Sequence, residues 1–332
     1  MTLNRRGCLR LGLAAAVAVA WPLRSALADA SAVSGEPTAS AETESFGALD
    51  LDWMDRTRDR AVPVRLYLPN QRRATPLVVF SHGIGGSRRG YSWLGSHFAR
   101  HGIASLHLQH VGSDRALWTG NVFSLVGRLQ DAARDEEAIH RARDLRFALD
   151  TLLADELGAR VDVRRIVAAG HSYGANTTLL ASGARVPREG RVLDLHDTRV
   201  RAAIVISAPP FYGQADPRAI LAPVSVPSLH VTATEDVIRI PGYYSGAEDR
   251  VAVFDAIGGT RKWLAVYEGG SHSMFTDRRG SGGALLNPRV KAATQALVLA
   301  FLRGVFDGDD SGLARWGREH AALLARFSEA RA

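Results

Sequence analysis

The sequence predicts an α/β fold, with a mostly parallel central sheet, helices on both faces and no large lid domain. Three observations predict it. From about residue 60 onward, short β-branched or wholly apolar runs alternate with longer segments of helical periodicity. The run PLVVF (76–80) is continuously apolar, as a strand buried on both faces must be. The stretch IVAAGHSYGANTTLL (166–180) passes from an apolar run through a glycine-bounded turn into a small-residue helix.

Taken in order, VPVRLYLP (62–69) alternates and reads as an edge strand, and PLVVF as a central one. A glycine-rich turn leads to a helix over 91–101, then to the strand GIASLHL (102–108). The strongest helical signal covers 131–157, where Ile139, Leu145, Leu149, Leu152 and Leu153 form one apolar stripe. Its dense charges over 131–146 read as a solvated face. Next come the strand before Gly170, a helix from Tyr173, and the strands RAAIVIS (201–207), SLHVTA (228–233) and KWLAVYE (262–268). Residues 289–306 and 311–330 read as two closing helices, and 185–199 as a polar surface insertion.

The first 28 residues read as a removable export signal. Arg5 and Arg6 precede an apolar stretch of about fifteen residues, too short to span a bilayer comfortably, and Ala26-Leu27-Ala28 offers an A-x-A cleavage site. Paired arginines ahead of a mildly apolar, alanine-rich core resemble a twin-arginine (Tat) signal; an ordinary Sec signal or an uncleaved anchor is the alternative. The expected location is periplasmic or secreted, with no stable membrane anchor after cleavage. Residues 29–48, small, polar and acidic, read as a linker, and 49–332 as a single domain.

Cys8, the only cysteine, lies in the signal, so the mature chain has no thiol nucleophile or disulfide. Residues 1–28 carry four arginines and no acid, so the charge falls from 41 − 34 = +7 to 37 − 34 = +3. That balance gives no reason to expect a nucleic-acid partner.

Gly170-His171-Ser172-Tyr173-Gly174 is a G-x-S-x-G elbow. A serine on a sharp strand-to-helix turn takes strained dihedrals, and bulk two residues to either side would collide. Glycines relieve that and leave the hydroxyl exposed. A serine attacks only if a base takes its proton and a third group orients the base. In this arrangement the order is Ser, acid, His.

Of the downstream histidines, His272 in the glycine loop YEGGSHSMF is the candidate base. His230 lies within a strand, His196 in the polar insertion and His320 on a charged terminal segment. The acid should follow the strand SLHVTA, where Glu235 and Asp236 stand side by side and both are open; Asp249 and Asp255 read as solvated charges. The backbone N–H of Tyr173 is one candidate oxyanion donor. The loop Ser81-His82-Gly83-Ile84-Gly85-Gly86 resembles the oxyanion loop of lipases and esterases, which implies Ile84 N–H as the other, with His82 holding the loop.

Together FSHGIGGSRRGYSWLG, AAGHSYGANTTLL and GGSHSMF resemble the α/β-hydrolase superfamily. More narrowly, the chain is similar to exported dienelactone-hydrolase-like and platelet-activating-factor-acetylhydrolase-like serine esterases over residues 60–305. The resemblance implies hydrolysis of a small-molecule ester through an acyl-enzyme, with no metal or organic cofactor. It also implies that Asp236 orients and stabilises the His272 imidazole. Dienelactone hydrolases proper use cysteine where Ser172 stands, which favours ordinary esters over lactones.

A lipid-acyl hydrolase or peptidase on the same fold is the alternative, and a non-catalytic binding protein a further one. Haloalkane dehalogenation would need aspartate at the elbow. His107 and His110 have a metal-like spacing but no matching carboxylate cluster, and His110 is placed where a pocket role is open. Phe211, Tyr212, Tyr243, Tyr244 and Phe275 are candidate pocket aromatics, and Trp118 and Phe123 candidate members of a small cap.

Overall fold

The computed structural model describes residues 46–330, apart from 189, 241 and 278–284. The expected signal and nearly all of the expected linker lie outside the described residues. The strands are β1 (Phe46–Asp55), β2 (Arg60–Pro69), β3 (Thr75–Ser81), β4 (Ala104–Leu108), β5 (Val161–His171), β6 (Arg185–Arg188), β7 (Arg191–Asp194), β8 (Val200–Ile206), β9 (Ser228–Glu235), β10 (Ile238–Ile240), β11 (Tyr243–Ser245), β12 (Lys262–Ser271) and β13 (Leu324–Ala330). The α-helices are α1 (Ser92–Arg100), α2 (Leu125–Ala132), α3 (Asp135–Ala154), α4 (Tyr173–Ala181), α5 (Pro217–Leu221), α6 (Ala247–Ala256), α7 (Leu286–Asp307) and α8 (Ser311–Glu319).

Nine strands form one sheet in the order β1-β2-β4-β3-β5-β8-β9-β12-β13. The six from β4 to β12 are parallel, and antiparallel strands close both edges. Period-two side-chain alternation explains why the inner strands are apolar throughout. Val78 and Phe80 of β3 pack with Leu94 and Phe98 of α1 and with Val298 and Phe301 of α7. Leu77 and Val79 face the other way, onto Leu145, Leu149 and Leu152 of α3. Further along that second face, α4, α5 and α6 cover Ala203 and Val205.

The structure corrects several sequence expectations. The run 62–69 belongs to β2, which is not an edge strand: β1 pairs along its whole length and begins at Phe46, inside the stretch read as linker. The single helix expected over 131–157 is divided. α2 ends at Ala132, Arg134 is extended, and α3 starts at Asp135. Its first turn holds Asp135, Glu136 and Glu137, whose negative charges suit a helix N-terminus.

The final segment is not one helix. α8 stops at Glu319 and the chain turns back as β13, pairing antiparallel with β12. The open edge of β12 supplies backbone partners that a terminal helix would leave unmet, and Phe327 packs on Trp316 with ring centroids 5.1 Å apart. The polar stretch 185–199 contains the β6–β7 hairpin.

Candidate active site

Ser172 follows β5, the central strand, and sits at φ 56°, ψ −125°, a region that a side-chain-bearing residue rarely occupies. The flanking glycines are sterically required. A Cβ on Gly170 would run into the Gly174 carbonyl, and one on Gly174 into the Ser81 carbonyl of the neighbouring strand. Strand, elbow and helix are thus packed too closely for any other residue at either place.

The structure brings the three distant polar residues together. His272 Nε2 lies 2.8 Å from Ser172 Oγ, and His272 Nδ1 lies 2.7 Å from Asp236 Oδ1. With Nδ1–H donated to the carboxylate, Nε2 is the acceptor for the serine proton. Asp236 is fully buried just past the end of β9, whereas the neighbouring Glu235 is exposed and does not contact His272. Thr232 Oγ1 donates to Asp236 Oδ2 at 2.7 Å and Arg250 Nη2 to Oδ1 at 3.4 Å. Burial by itself would raise the Asp236 pKa. The hydrogen bond from His272 and the positive charges of His272 and Arg250 outweigh it and hold the carboxyl well below the usual range.

The loop after β3 packs directly on Ser172, a Cβ on Gly83 being only 3.1 Å from Ser172 Cβ. It is pinned on three sides. Trp118 Nε1 donates to Gly85 O at 2.8 Å, Gly85 N–H donates to Ser113 O at 2.8 Å, and Arg141 Nη2 donates to His82 O. Ile84 and Tyr173 both border the space around Ser172. Among the described residues neither backbone N–H is engaged in a hydrogen bond.

Sequence reasoning missed two supports. His171, the residue before Ser172, is buried, and the Tyr91 hydroxyl donates to its Nδ1 at 2.7 Å. Its Nε2–H donates to His272 O at 2.9 Å, so it holds the backbone of His272. Burial, reinforced by the neighbouring His272 charge, lowers its pKa to about 3, so it stays neutral.

Arg141 is fully buried within the charge run expected to face solvent. It bonds Thr177 Oγ1 at 3.0 Å and Ser113 Oγ at 2.8 Å, and stacks 4.5 Å from the Tyr173 ring centroid. It therefore joins the loop of Ile84 to the helix that begins at Tyr173. Glu137, Arg141 and Asp144, spaced one helical turn apart, are all buried; that spacing was the available signal.

Other candidates are reassigned. His110 is not a pocket residue: it is fully buried, bonded to Asp144 Oδ2 at 3.0 Å and Ser81 Oγ at 3.1 Å. His107 is bonded to Gly90 O and Ser105 Oγ, and His82 holds the loop through Gly83 O and His110 N–H. Phe211, Tyr212 and Tyr243 line the cavity beside Ser172. Tyr244 is exposed and Phe275 is core. Trp118 does cover the loop, with Leu117, Leu129 and Ala132 forming a small apolar cluster beside it, whereas Phe123 is 92% exposed. Among the described residues no group of three or more His, Cys, Asp or Glu is placed to hold a metal ion.

The fold is shared with solved structures. A ferulic acid esterase from Streptomyces cinnamoneus aligns with a TM-score of 0.57 at 24% identity, over 82% of this chain and 93% of that one. The chain shares that fold. Residues 65–139 match the family of platelet-activating factor acetylhydrolase, isoform II. That match runs from β2 through the Ile84 loop into the first turn of α3. No curated protein sequence matches the chain.

Proposed function

We propose that the chain is an α/β-hydrolase, a serine carboxylic-ester hydrolase working through an acyl-enzyme. The unbroken hydrogen-bond chain Asp236–His272–Ser172, ending on a hydroxyl at a strained elbow, carries the reading. His272 Nε2 takes the serine proton as Oγ attacks the ester carbonyl. Asp236 fixes the tautomer and stabilises the imidazolium. The Ile84 and Tyr173 N–H groups receive the developing oxyanion, each worth roughly 3 kcal/mol of barrier. His272 then protonates the departing alcohol oxygen, and water activated by the same nitrogen releases the acid.

The aromatic side chains beside Ser172 favour an aromatic acyl group, which agrees with the activity named for the structural neighbour. A lipid acyl group is the second reading, favoured by the family match over the Ile84 loop. A single catalytic domain, exported by a signal over residues 1–28 and a following linker, completes the proposal. N-terminal sequencing of the exported protein is expected to begin after Ala28. Ser172→Ala should abolish hydrolysis of p-nitrophenyl acetate while leaving the circular dichroism spectrum unchanged. Undiminished turnover would overturn the mechanism. An ester panel graded by acyl length and aromaticity separates the two acyl readings.

A further inference from the structure

Ser172 stands where two clefts meet. One, of about 640 Å³, runs over α4 and is bordered by Leu180, Phe211, Tyr212 and Tyr243. The other, of about 630 Å³, is bordered by His272, Trp118, Arg115, Arg239 and Asp277. They share only Ile84, Ser172, Ile238 and Ile240. In serine-catalysed acyl transfer the base that deprotonates the hydroxyl must also reach the leaving oxygen, so the alcohol departs on the imidazole side. His272 borders the second cleft and not the first. The acyl half of the substrate therefore belongs in the aromatic cleft, and the alcohol half in the cleft beside His272.

The two clefts differ in how their charges are used. In the aromatic cleft Arg134 pairs with Asp131, and Arg188 pairs with Asp135 and donates to Tyr212 O. In the His272 cleft Arg115 and Arg239 are both exposed. Among the described residues neither guanidinium has an ion-pair or hydrogen-bond partner. Asp277 is the only carboxylate among the described residues lining that cleft. One of its oxygens accepts the Ser92 N–H at 2.9 Å, and Lys291 acts on it electrostatically. A surplus of positive charge therefore faces the place where the leaving group sits.

We infer that the alcohol half of the substrate carries a negative charge, as a carboxylate, sulfate or phosphate, and is recognised by Arg115 and Arg239. The inference rests on the triad reading above and adds the polarity of the substrate to it.

Three cinnamate esters with matched acyl groups test it: those of glycolic acid (anionic), glycolamide (neutral) and choline (cationic). At low ionic strength kcat/KM for the glycolate ester should exceed that for the glycolamide ester by about tenfold, and salt at about 0.5 M should shrink that ratio. In the double variant Arg115→Gln, Arg239→Gln the ratio should fall toward one, a readout that differences in folded fraction do not move. A ratio near one in the wild type, preference for the choline ester, or a ratio unchanged in the double variant would overturn the inference. Loss of the triad reading is separately visible, because p-nitrophenyl acetate would then be cleaved equally well by Ser172→Ala.

Discussion

Lowering the pH from 7 to about 5.5 is expected to remove roughly 5 kcal/mol of folding stability. Among the buried histidines, His82, His107, His171 and His230 bond no carboxylate among the described residues, whereas His110 bonds Asp144 and stands apart. Burial is the largest cause of a lowered pKa in each: His107 to about 4, His171 and His230 to about 3, and His82 well below its ordinary value. The hydrogen bonds explain why a second ring proton is refused. His82 Nε2 accepts the His110 N–H, and His171 Nδ1 accepts the Tyr91 hydroxyl, so a proton on either nitrogen would face a donor.

In the unfolded chain each ring takes up its proton below about pH 6.5, whereas the folded chain takes it up only far lower. The stability is therefore present above that pH and is lost as the pH falls. One unit below the unfolded pKa, each neutral ring has cost a little over 1 kcal/mol, or roughly 5 kcal/mol for four. That is comparable with the whole stability of an ordinary domain, about 5–15 kcal/mol.

Asp144 and Asp236, whose pKa values are lowered, act in the same direction, but only below about pH 4. Glu137, pushed up by burial, opposes the trend by at most one proton. Urea unfolding at the two pH values and constant ionic strength reads the difference. Free energies agreeing within about 1 kcal/mol would refute the reasoning. His230→Gln, remote from Ser172, should reduce the pH slope by about 1 kcal/mol per unit.

Asp236→Asn should lower kcat by about 10⁴-fold, and Glu235→Gln should leave it nearly unchanged; equal losses in steady-state assays would reject the assignment of the acid. Gly174→Ala should destabilise the protein by about 4 kcal/mol or more, because the clash is with the Ser81 backbone. Gly127→Ala, exposed in α2 with nothing near its added Cβ, should instead stabilise by about 0.5–1 kcal/mol in thermal melts. Arg141→Met should lower kcat at least tenfold with little change in KM, since it loosens the seat of both backbone donors, and Arg141→Lys should recover part of the loss. A KM effect alone would mean that Arg141 shapes the cleft and not the donors.

Local chemistry in the sequence determined a good deal of this protein. Short continuously apolar runs ending at glycine-rich turns fit strands covered on both faces, and the β3 and β5 segments were legible for that reason. The elbow was legible because its constraint is local: only glycine fits at 170 and 174 around a serine in that conformation. The order Ser172, acid, His272 then followed from the chain itself.

Tertiary structure decided what neighbouring residues share in chemistry but not in direction. Glu235 and Asp236 are equivalent carboxylates in a string of letters; the end of β9 turns one outward and carries the other under His272. Tyr243 and Tyr244 alternate on one short strand, so one lines the cleft and the other faces water. Arg141 sits in a charge-dense helix that composition alone assigns to solvent, yet polar partners from three other segments make its burial possible. The last strand, β13, exists because β12 had an open edge, a demand that arises only once the sheet has formed.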